Sequence, residues 1–366
     1  MKSTRGIKFL RIISLATLAV SAISALAFGT VSASIEKIDA FTGLNNRPEK
    51  ASSAINYLIV GSDTREGLSK AELKALRVGS VKSAAGKRSD TMMLIHISKA
   101  RDKAVIVSIP RDSFALIPDH KNNQGKLIPA AYSKINSAYN WGGAPLLIEA
   151  FENMSDLKID HYVEVNFAGF ADVVDSLGGI QVCTKKDIND SKSHLVLPAG
   201  VHTLNGIDSL KFVRTREFDG LGDIGRMQRQ QQFVSAVLRK ATSAGVLLNP
   251  VTMVNFINTS LSAVTTDSGL KSDDLITLAR QMKSLSTSKV RTLTVPLSDL
   301  YYNSNGVTAS VLWDPVLAPE LWQRLKEDRA VIDEVTPSPS PSATSTAAPI
   351  IVDKFKTKTA ADDPCK

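Results

Sequence analysis

Arginines cluster in one stretch of this chain, at a point where a helix is predicted to begin. Between residues 212 and 233, Arg214, Arg216 and Arg226 surround a short acidic, glycine-rich loop, and Gln230 opens a run of three glutamines. A guanidinium group can donate two parallel hydrogen bonds to phosphate oxygens, which an ammonium group cannot do. The start of a helix adds backbone amides and a positive dipole end. Together these groups predict a pocket for a polyanion such as pyrophosphate.

The spacing of these residues indicates how they are presented. Arg214 and Arg216 lie two positions apart in a segment that is predicted to be extended, which would put both side chains on one face. Arg226 and Gln230 are four apart and share one face of a helix that is predicted to begin near Asp223. Two further polar residues of this helix are expected to be solvated on its surface, namely Arg229 and Gln231.

Two aspartates sit where predicted strands end or begin, each with an arginine nearby. Asp63 and Arg65 lie in GSDTR, and Arg88 and Asp90 lie in RSDTMML. Carboxylates on converging loops suit Mg²⁺ or Mn²⁺, which complete their coordination with water and substrate phosphate oxygens. In the alternative interpretation, each aspartate caps a turn and pairs with its neighbouring arginine. The sequence leaves both interpretations open.

A further arginine follows a predicted strand in the segment SIPRDSF, which delivers Arg111 and Asp112 into a loop. An arginine held at a strand end can stabilise the charge that builds on a transferring phosphoryl group. The alternative is a surface ion pair between Arg111 and Asp112.

The elements that must position these residues follow from the apolar pattern. Strands are predicted at residues 55–61, 91–98, 104–110, 161–167 and 179–183. Helices are predicted around Pro145, over 167–177 with Gly178 at the end, and from Asp223 onward. This order predicts an α/β fold, an α-β-α sandwich around a mixed central sheet.

Composition and the N-terminal segment restrict the cellular setting. The 366-residue chain is 43% hydrophobic and 22% charged, as globular proteins are, and its net charge of +8 attracts anions. A basic segment at residues 1–11 precedes an uncharged apolar run at 12–33, which predicts a transmembrane helix with the N-terminus in the cytoplasm. The rest of the chain would then be an extracytoplasmic domain at the cell membrane, which counts against nucleic-acid binding. A cleavable signal peptide remains the alternative.

Domain limits are suggested by low-complexity sequence. Residues 50–335 are predicted to form one domain with a core at 55–245, with a second boundary near residue 245 as the alternative. Residues 336–366 are predicted to form a Ser/Pro/Thr-rich linker and disordered tail. The chain has two cysteines. Cys183 is interpreted as a small buried apolar residue of a strand, with a bridge to Cys365 as the alternative.

The order of seven segments resembles the LytR-CpsA-Psr family over roughly residues 55–245. The segments are GSDTR, RSDTMML, SIPRDS, KINSAYNWGG, VNFAGFADVVDSLGGI, LNGIDSLKFVRTRE and DIGRMQRQQQF. The resemblance implies a metal-dependent phosphotransferase that moves a glycopolymer phosphate from a polyprenyl-pyrophosphate carrier to peptidoglycan. A pyrophosphatase side activity is compatible with this chemistry.

Residue roles follow from matching the family's motifs. Asp63 and Asp90 would bind Mg²⁺ or Mn²⁺, and Arg111 would most stabilise the transition state. The pyrophosphate would be held by Arg65, Arg88, Arg111, Arg214, Arg216, Arg226 and Gln230. A groove for the lipid chain would be lined by Phe167, Phe170 and Val174, with plain core packing as the alternative for each.

A different class of function remains open. The chain could bind lipid-linked or anionic wall polymer without turnover, or it could be a cell-envelope regulator. No segment clearly resembles a helix-turn-helix, which disfavours a transcriptional role. The binder differs from the enzyme in whether Asp63 and Asp90 converge on a metal ion.

Overall fold

The computed structural model describes most of the chain after residue 34. The described residues are 35–63, 68–76, 89–122, 124–217, 219–220, 222–243, 250–271, 274, 277–278, 285–335, 350–362 and 365. Within these ranges the side chains of residues 89, 90, 250–254, 334, 335, 350 and 351 are not described. The predicted anchor at 12–33, together with Arg65 and Arg88, lies outside the described residues. None of the helices within the described ranges has the length and apolar character needed to cross a membrane.

The described part contains both helices and strands. The helices with defined bounds are α1 (Lys70–Leu76), α2 (Asn136–Ser155), α3 (Phe167–Ser176), α4 (Gly206–Arg214), α5 (Gly222–Ala241), α6 (Pro250–Ser262) and α7 (Leu317–Lys326). The strands are β1 (Glu36–Ile38), β2 (Ile55–Ser62), β3 (Ser89–Ile97), β4 (Ala104–Ile109), β5 (Phe114–Ile117), β6 (His120–Lys121), β7 (Leu127–Ile128), β8 (Ala131–Lys134), β9 (His161–Val165), β10 (Ile180–Thr184), β11 (Ile188–Asp190), β12 (Leu195–Leu197), β13 (Gly200–Leu204), β14 (Val264–Asp267), β15 (Val290–Thr294), β16 (Leu297–Ser304), β17 (Val307–Trp313), β18 (Asp333–Val335), β19 (Ile350–Val352) and β20 (Lys358–Thr359).

The central sheet is mixed, as predicted. Its strand order is β1-β14-β9-β2-β3-β4-β15-β20. β2 pairs in parallel with β9, and β4 pairs in parallel with β15. β3, between β2 and β4, is antiparallel to both. Four of the predicted strands are therefore confirmed as β2, β3, β4 and β9. The fifth, at 179–183, forms β10, but it pairs with β13 in a separate two-stranded sheet.

Helices cover both faces of this sheet because successive strand residues point to opposite sides. Leu58 and Val60 of β2 belong to a core cluster that includes residues of α2 and α7. Ile59, between them, packs on the other side in a cluster that includes Val234 and Leu238 of α5. The predicted α/β fold around a mixed central sheet is thus confirmed.

The helix predicted around Pro145 is part of a longer, kinked element. α2 is interrupted at Gly143, whose backbone angles (φ 66°, ψ −152°) are not helical. The positive φ is accessible to glycine without steric cost. Pro145 therefore falls in the first turn of the second segment, the position that suits it.

Helix α3 forms one wall of the site described below, and its position is tightly fixed. Asn166 caps it, with Oδ1 accepting a hydrogen bond from the Gly169 amide at 2.8 Å. A Cβ atom at Gly169 would lie 2.1 Å from the carbonyl oxygen of Ala263, so only glycine allows this close approach to the end of α6. The helix ends before Gly178, which has a φ of 73°, as predicted.

The N-terminal limit of the folded part differs from the predicted one. β1 pairs in parallel with β14, with Glu36 opposite Thr265, so the chain enters the central sheet before residue 50. The predicted boundary therefore lies too far along the chain.

The prediction of a disordered tail is wrong for residues 350–362. β20 pairs with β15 at the edge of the central sheet, and the side chain of Phe355 is buried against the α2 and α7 cluster. Arg239 of α5 donates a hydrogen bond to the carbonyl of Ala360 at 2.6 Å. Apolar residues after the linker thus find partners that composition alone did not reveal. Residues 336–349, the predicted linker, lie outside the described residues.

Cysteine pairing also differs from the interpretation favoured by the sequence. Cys183 is buried in β10, as expected, but it forms a disulfide bond with Cys365, with 5.9 Å between the Cα atoms. The bridge joins positions 182 residues apart and fastens the tail beside β10.

Candidate functional site

A cavity of about 410 Å³ lies beside the central strands, among helices α3, α4 and α5. Its apolar lining includes Ile59, Met93, Phe167, Phe170, Leu210, Val213, Phe233 and Val234. Its polar lining includes Ser62, Thr91, Asn166, Lys192, Arg214, Arg216, Arg226 and Gln230. The cavity therefore combines an apolar wall with a group of cations.

The structure brings four of the predicted pyrophosphate-binding residues together in this lining: Arg214, Arg216, Arg226 and Gln230. The prediction that the first two lie in an extended segment is wrong, because Arg214 is the last residue of α4. That helix is capped by Asn205, which accepts a hydrogen bond from the Asp208 amide at 2.8 Å, and it buries Phe212. The guanidinium group of Arg214 lies over the ring of Phe167, 5.1 Å from its centroid.

Three arginines converge on the carboxylate of Asp223, in the first turn of α5. Its oxygens lie 3.5 Å from Arg226 Nη2, 3.5 Å from Arg216 Nε and 3.6 Å from Arg111 Nε. The Arg226 side chain is only 4% exposed, and its buried Nε has no hydrogen-bond partner in the described part of the chain. A buried guanidinium group with an unused donor favours a further anion at this point.

Arg111 lies in the loop that follows the C-terminal end of β4, as predicted. Its carbonyl accepts a hydrogen bond from the Asn136 amide at 3.1 Å, which ties it to the start of α2. Its side chain lies 3.6 Å from Asp112 as well as from Asp223, so the alternative ion pair exists beside the contact with the cluster. Arg111 is not among the residues that line the cavity. It is connected to two of them, Arg216 and Arg226, through their shared partner Asp223.

Asp63 and Asp90 are brought to the same end of one strand pair. In the register of β2 with β3, Gly61 lies opposite Thr91 and Ser62 opposite Ser89, with an irregularity between them. Asp90 therefore faces this step, and Asp63 follows it directly. Aspartates at neighbouring backbone positions have the side-chain type that a hard divalent cation prefers. Among the side chains that the structure describes, which exclude Asp90, no group of three or more His, Cys, Asp and Glu residues could hold a metal ion.

Gln230 connects the helix of the arginines to this strand pair. Its Nε2 donates to Thr91 Oγ1 at 2.8 Å and to the Val213 carbonyl at 3.3 Å. The amide nitrogen, which was expected to assist pyrophosphate binding, is thus used to hold α5 against β3, next to Asp90. The geometry gives Gln230 a positioning role.

The three residues predicted to form a lipid groove do not behave alike. Phe167 and Phe170 line the cavity, whereas Val174 is only 1% exposed and does not line it. Val174 lies two turns beyond Phe167 on α3, about 10 Å along the helix. There it packs with Leu177 and Ile180 in the core, so for Val174 the alternative of plain core packing is correct.

Asp190 is a site-positioning residue that the sequence analysis missed. Its carboxylate is 1% exposed and accepts backbone hydrogen bonds from Arg216 at 2.6 Å, Glu217 at 2.7 Å, Ser193 at 2.7 Å and Lys192 at 3.0 Å. It thereby fixes the segment that carries Arg216 to the hairpin of β11 and β12. The only signal in the sequence is the aspartate that precedes two serines in DSKS, which indicates a local turn but no distant partner.

The amides that surround Asp190 make its contribution depend on pH. Burial alone would raise the pKa of this carboxyl, but the backbone amides of Glu217, Ser193 and Arg216 outweigh it and lower the pKa to about 2, from an ordinary 3.8. A carboxyl with a lowered pKa stabilises the fold above its unfolded-state pKa, and this stabilisation disappears as the pH falls from about 4 to about 2.

We expect Asp190→Asn to lose about 2 kcal/mol of unfolding free energy at pH 7. Urea unfolding of both proteins would measure this, and the difference should shrink between about pH 4 and pH 2. The matched control is Asp39→Asn. Asp39 is exposed and follows the edge strand β1, so this substitution should change stability by less than about 0.5 kcal/mol. A pH-independent difference for Asp190→Asn would contradict the assigned role.

Two residues expected to be solvated are buried instead. Arg229 is 6% exposed, donates to the Thr215 carbonyl at 2.5 Å and forms an ion pair with Asp219. Gln231 is 7% exposed and donates from Nε2 to Ser108 Oγ and Thr294 Oγ1, both at 2.9 Å. The interpretation was wrong because α5 lies across the sheet. Its polar side chains therefore meet strand hydroxyls and the loop before the helix.

Comparisons with known proteins place the chain in a family. The sequence profile of the LytR_cpsA_psr family matches residues 25–318. The probable cell wall biosynthesis protein LcpB of Corynebacterium glutamicum is 33% identical over 271 residues, which cover 74% of this chain and 61% of LcpB. The chain thus spans about three fifths of the length of that relative.

Two further similarities involve one Bacillus protein. The polyisoprenyl-teichoic acid–peptidoglycan teichoic acid transferase TagT of Bacillus subtilis is 37% identical over 162 residues, which cover 43% of this chain and 47% of TagT. A structure of TagT bound to LIIa-WTA has a TM-score of 0.55 and 27% identity, covering 80% of this chain and 96% of that one.

The family profile covers well over half of the chain, and it includes strands β1 to β17, the arginine cluster and the residues that line the cavity. This chain belongs to the LytR_cpsA_psr family.

Proposed function

We propose that this protein is a phosphotransferase that moves a glycopolymer, with one phosphate, from a polyprenyl-pyrophosphate carrier to peptidoglycan. The observation that carries the proposal is the cavity whose apolar wall adjoins Arg214, Arg216 and Arg226. An amphipathic ligand with an apolar chain and a pyrophosphate group matches both parts of this lining. The name of TagT supports it, because that relative is named for a polyisoprenyl-linked donor and a peptidoglycan acceptor.

The reaction is a single displacement at phosphorus. The acceptor hydroxyl oxygen attacks the phosphorus that bears the glycan and forms a new phosphodiester bond. The bond from this phosphorus to the bridging oxygen breaks, and polyprenyl phosphate leaves with the electron pair. The hydroxyl proton passes to a carboxylate. Arg226 and its neighbours stabilise the charge on the phosphoryl oxygens.

Asp63 and Asp90 would hold a divalent cation, Mg²⁺ or Mn²⁺, beside the pyrophosphate. The support is their position at one end of the β2–β3 pair, together with the preference of these ions for carboxylate and phosphate oxygens. When bound, the cation would supply charge neutralisation at the phosphate oxygens.

The same proposal places the domain outside the cell membrane. The basic residues before the apolar run at 12–33 support an anchor with its N-terminus in the cytoplasm. A lipid-linked donor lies in the membrane, so an anchored domain would act where its substrate is.

The experiment that tests the function uses the full-length protein in detergent. The donor is a polyprenyl-pyrophosphate oligosaccharide labelled in the phosphate next to the sugar, and the acceptor is purified peptidoglycan. We expect label in peptidoglycan, release of an equal amount of polyprenyl phosphate, and loss of both with EDTA. Tight retention of the donor without release of polyprenyl phosphate would reject the transferase and favour a polymer-binding protein.

A further inference from the structure

A second pocket lies near Arg111, apart from the arginine-lined cavity. It has a volume of about 380 Å³ and is lined by His120, Asn122, Ile128, Asn140 and Trp141. It forms where the hairpin of β6 and β7 meets the first turns of α2. The function proposed above makes no use of it.

The lining of this pocket has the chemistry of a sugar site. The rings of His120 and Trp141 stack with centroids 5.5 Å apart and planes 10° from parallel, and Trp141 is 38% exposed. His120 Nδ1 is hydrogen-bonded to the Pro118 carbonyl at 2.9 Å, which fixes the imidazole in this stack. A large exposed aromatic ring held in place is a ready surface for the apolar C–H face of a pyranose.

The side-chain amides beside Trp141 favour a sugar over a lipid as the ligand. The Asn140 amide can bond the hydroxyl and acetamido substituents of a sugar ring. Asn122 can offer its amide nitrogen, because its oxygen already accepts hydrogen bonds from the Gln124 and Lys126 amides at 3.0 Å. An acyl chain in the same place would bury the Asn140 amide and the Asn122 amide nitrogen without a polar partner from the ligand, which costs free energy. The pocket therefore favours a hydroxyl-rich ring.

Two contacts of the segment before Trp141 place the pocket next to the centre of transfer. The Asn136 amide, at the start of α2, donates to the Arg111 carbonyl, and Lys134 lies 3.7 Å from Asp112. Asn140 and Trp141 follow Asn136 by four and five residues, about 6 to 8 Å along the helix axis. The pocket thus begins within about one and a half helical turns of Arg111.

The position of the pocket relative to the sheet indicates whether it takes a sugar of the donor or of the acceptor. α2 packs on the sheet face opposite to α5, whereas the arginine-lined cavity lies on the α5 side. In a displacement at phosphorus the entering and leaving oxygens are roughly in line. If the lipid phosphate leaves toward the apolar cavity, the acceptor must approach from the side of α2.

We propose that this pocket binds a sugar ring of the acceptor glycan strand, with Trp141 as the stacking surface and Asn140 as a hydrogen-bonding partner. The inference rests on the proposed function for the identity of the acceptor. The sugar site itself rests on the contacts of His120, Trp141 and the two amides.

The kinetic test compares Trp141→Ala, Trp141→Phe and Asn140→Ala in the full-length protein. Loss of a stacking tryptophan should raise the KM for soluble, uncross-linked peptidoglycan strands roughly tenfold or more. The KM for the donor should stay the same, and Trp141→Phe should restore most of the acceptor affinity. Tyr301→Ala is the matched control, because Tyr301 is 77% exposed and does not line the pocket.

A binding measurement tests the pocket even if the protein transfers nothing. Oligomers of N-acetylglucosamine and N-acetylmuramic acid are titrated while intrinsic tryptophan fluorescence is followed. The chain has three tryptophans, and Trp322 is only 2% exposed, so a response that disappears in Trp141→Phe reports on this pocket. A missing response in the wild type, together with an unchanged acceptor KM in Trp141→Ala, would overturn the proposal.

A third arm separates the two possible glycans. The KM values for a glycan-bearing donor and for a short glycan-free polyprenyl pyrophosphate are compared in Trp141→Ala. A rise confined to the glycan-bearing donor, with no change for the acceptor, would overturn the assignment to the acceptor strand. If Trp141→Ala leaves the KM of both donors at the wild-type values and raises the KM of the acceptor, the result would support the assignment.

Discussion

Arg226→Lys is expected to lower kcat for polymer transfer by roughly 10²- to 10³-fold. The substitution keeps the positive charge but removes the planar fork that binds two phosphate oxygens at once. Because the Arg226 side chain is 4% exposed and faces the cavity, water cannot easily replace the missing hydrogen bonds. Steady-state kinetics with the labelled donor would measure kcat and the donor KM separately.

The matched control for this prediction is Arg239→Lys on the same helix. Arg239 lies 13 residues further along α5, about 20 Å away, and binds the carbonyls of Ala360 and Asp362. It should leave kcat unchanged while thermal melts show that both variants fold. A raised donor KM with unchanged kcat in Arg226→Lys would mean that Arg226 stabilises the bound donor and the transition state equally, and would contradict a role in the transition state alone.

The local parts of this site could be predicted because they follow backbone periodicity. Arg226 and Gln230 are four residues apart, so any helix through them puts both on one face. The near-continuous apolar runs of β2 and β3 likewise predict a sheet that is covered on both sides, and Asp63 and Asp90 then fall at one end of it. These predictions depend only on residues that are close to one another in the sequence.

The remaining parts depend on contacts between distant segments, which one sequence does not contain. Asp190 holds the Arg216 segment from 26 residues away, and Gln231 meets hydroxyls on β4 and β15. The segment with Arg214 was misassigned because a polar helix end and an extended segment have similar short-range patterns. Its helical state is fixed by burial of Phe212 and by the Asn205 cap.

The tail shows the same dependence on distant partners. Its composition gives few apolar residues, yet Phe355 and Ala360 are buried and Cys365 is bonded to Cys183. A disulfide bond lowers the conformational entropy of the unfolded chain, and the effect grows with the length of the loop it closes. With the two cysteines 182 positions apart, this bridge should be a large contributor to stability.

We expect the double variant Cys183→Ala/Cys365→Ala to lose about 2 to 4 kcal/mol of unfolding free energy. A loss of this size corresponds to a fall in Tm of about 5 to 10 °C, which calorimetry would measure. Alanine suits the buried site of Cys183, so the loss reports on the bridge rather than on an unpaired hydroxyl group.

Reduction provides the control, because the chain has no other cysteines. Dithiothreitol should lower the Tm of the wild type toward that of the double variant and leave the double variant unchanged. The tail also has noncovalent contacts, from β20 with β15 and from Arg239 with Ala360, so it should remain docked in the folded double variant. Its kcat at 25 °C should therefore stay near the wild-type value, since the bridge acts mainly on the unfolded state. A wild-type Tm that does not respond to reduction would contradict the bridge, and a large loss of kcat without a fall in Tm would give it a direct role in the site.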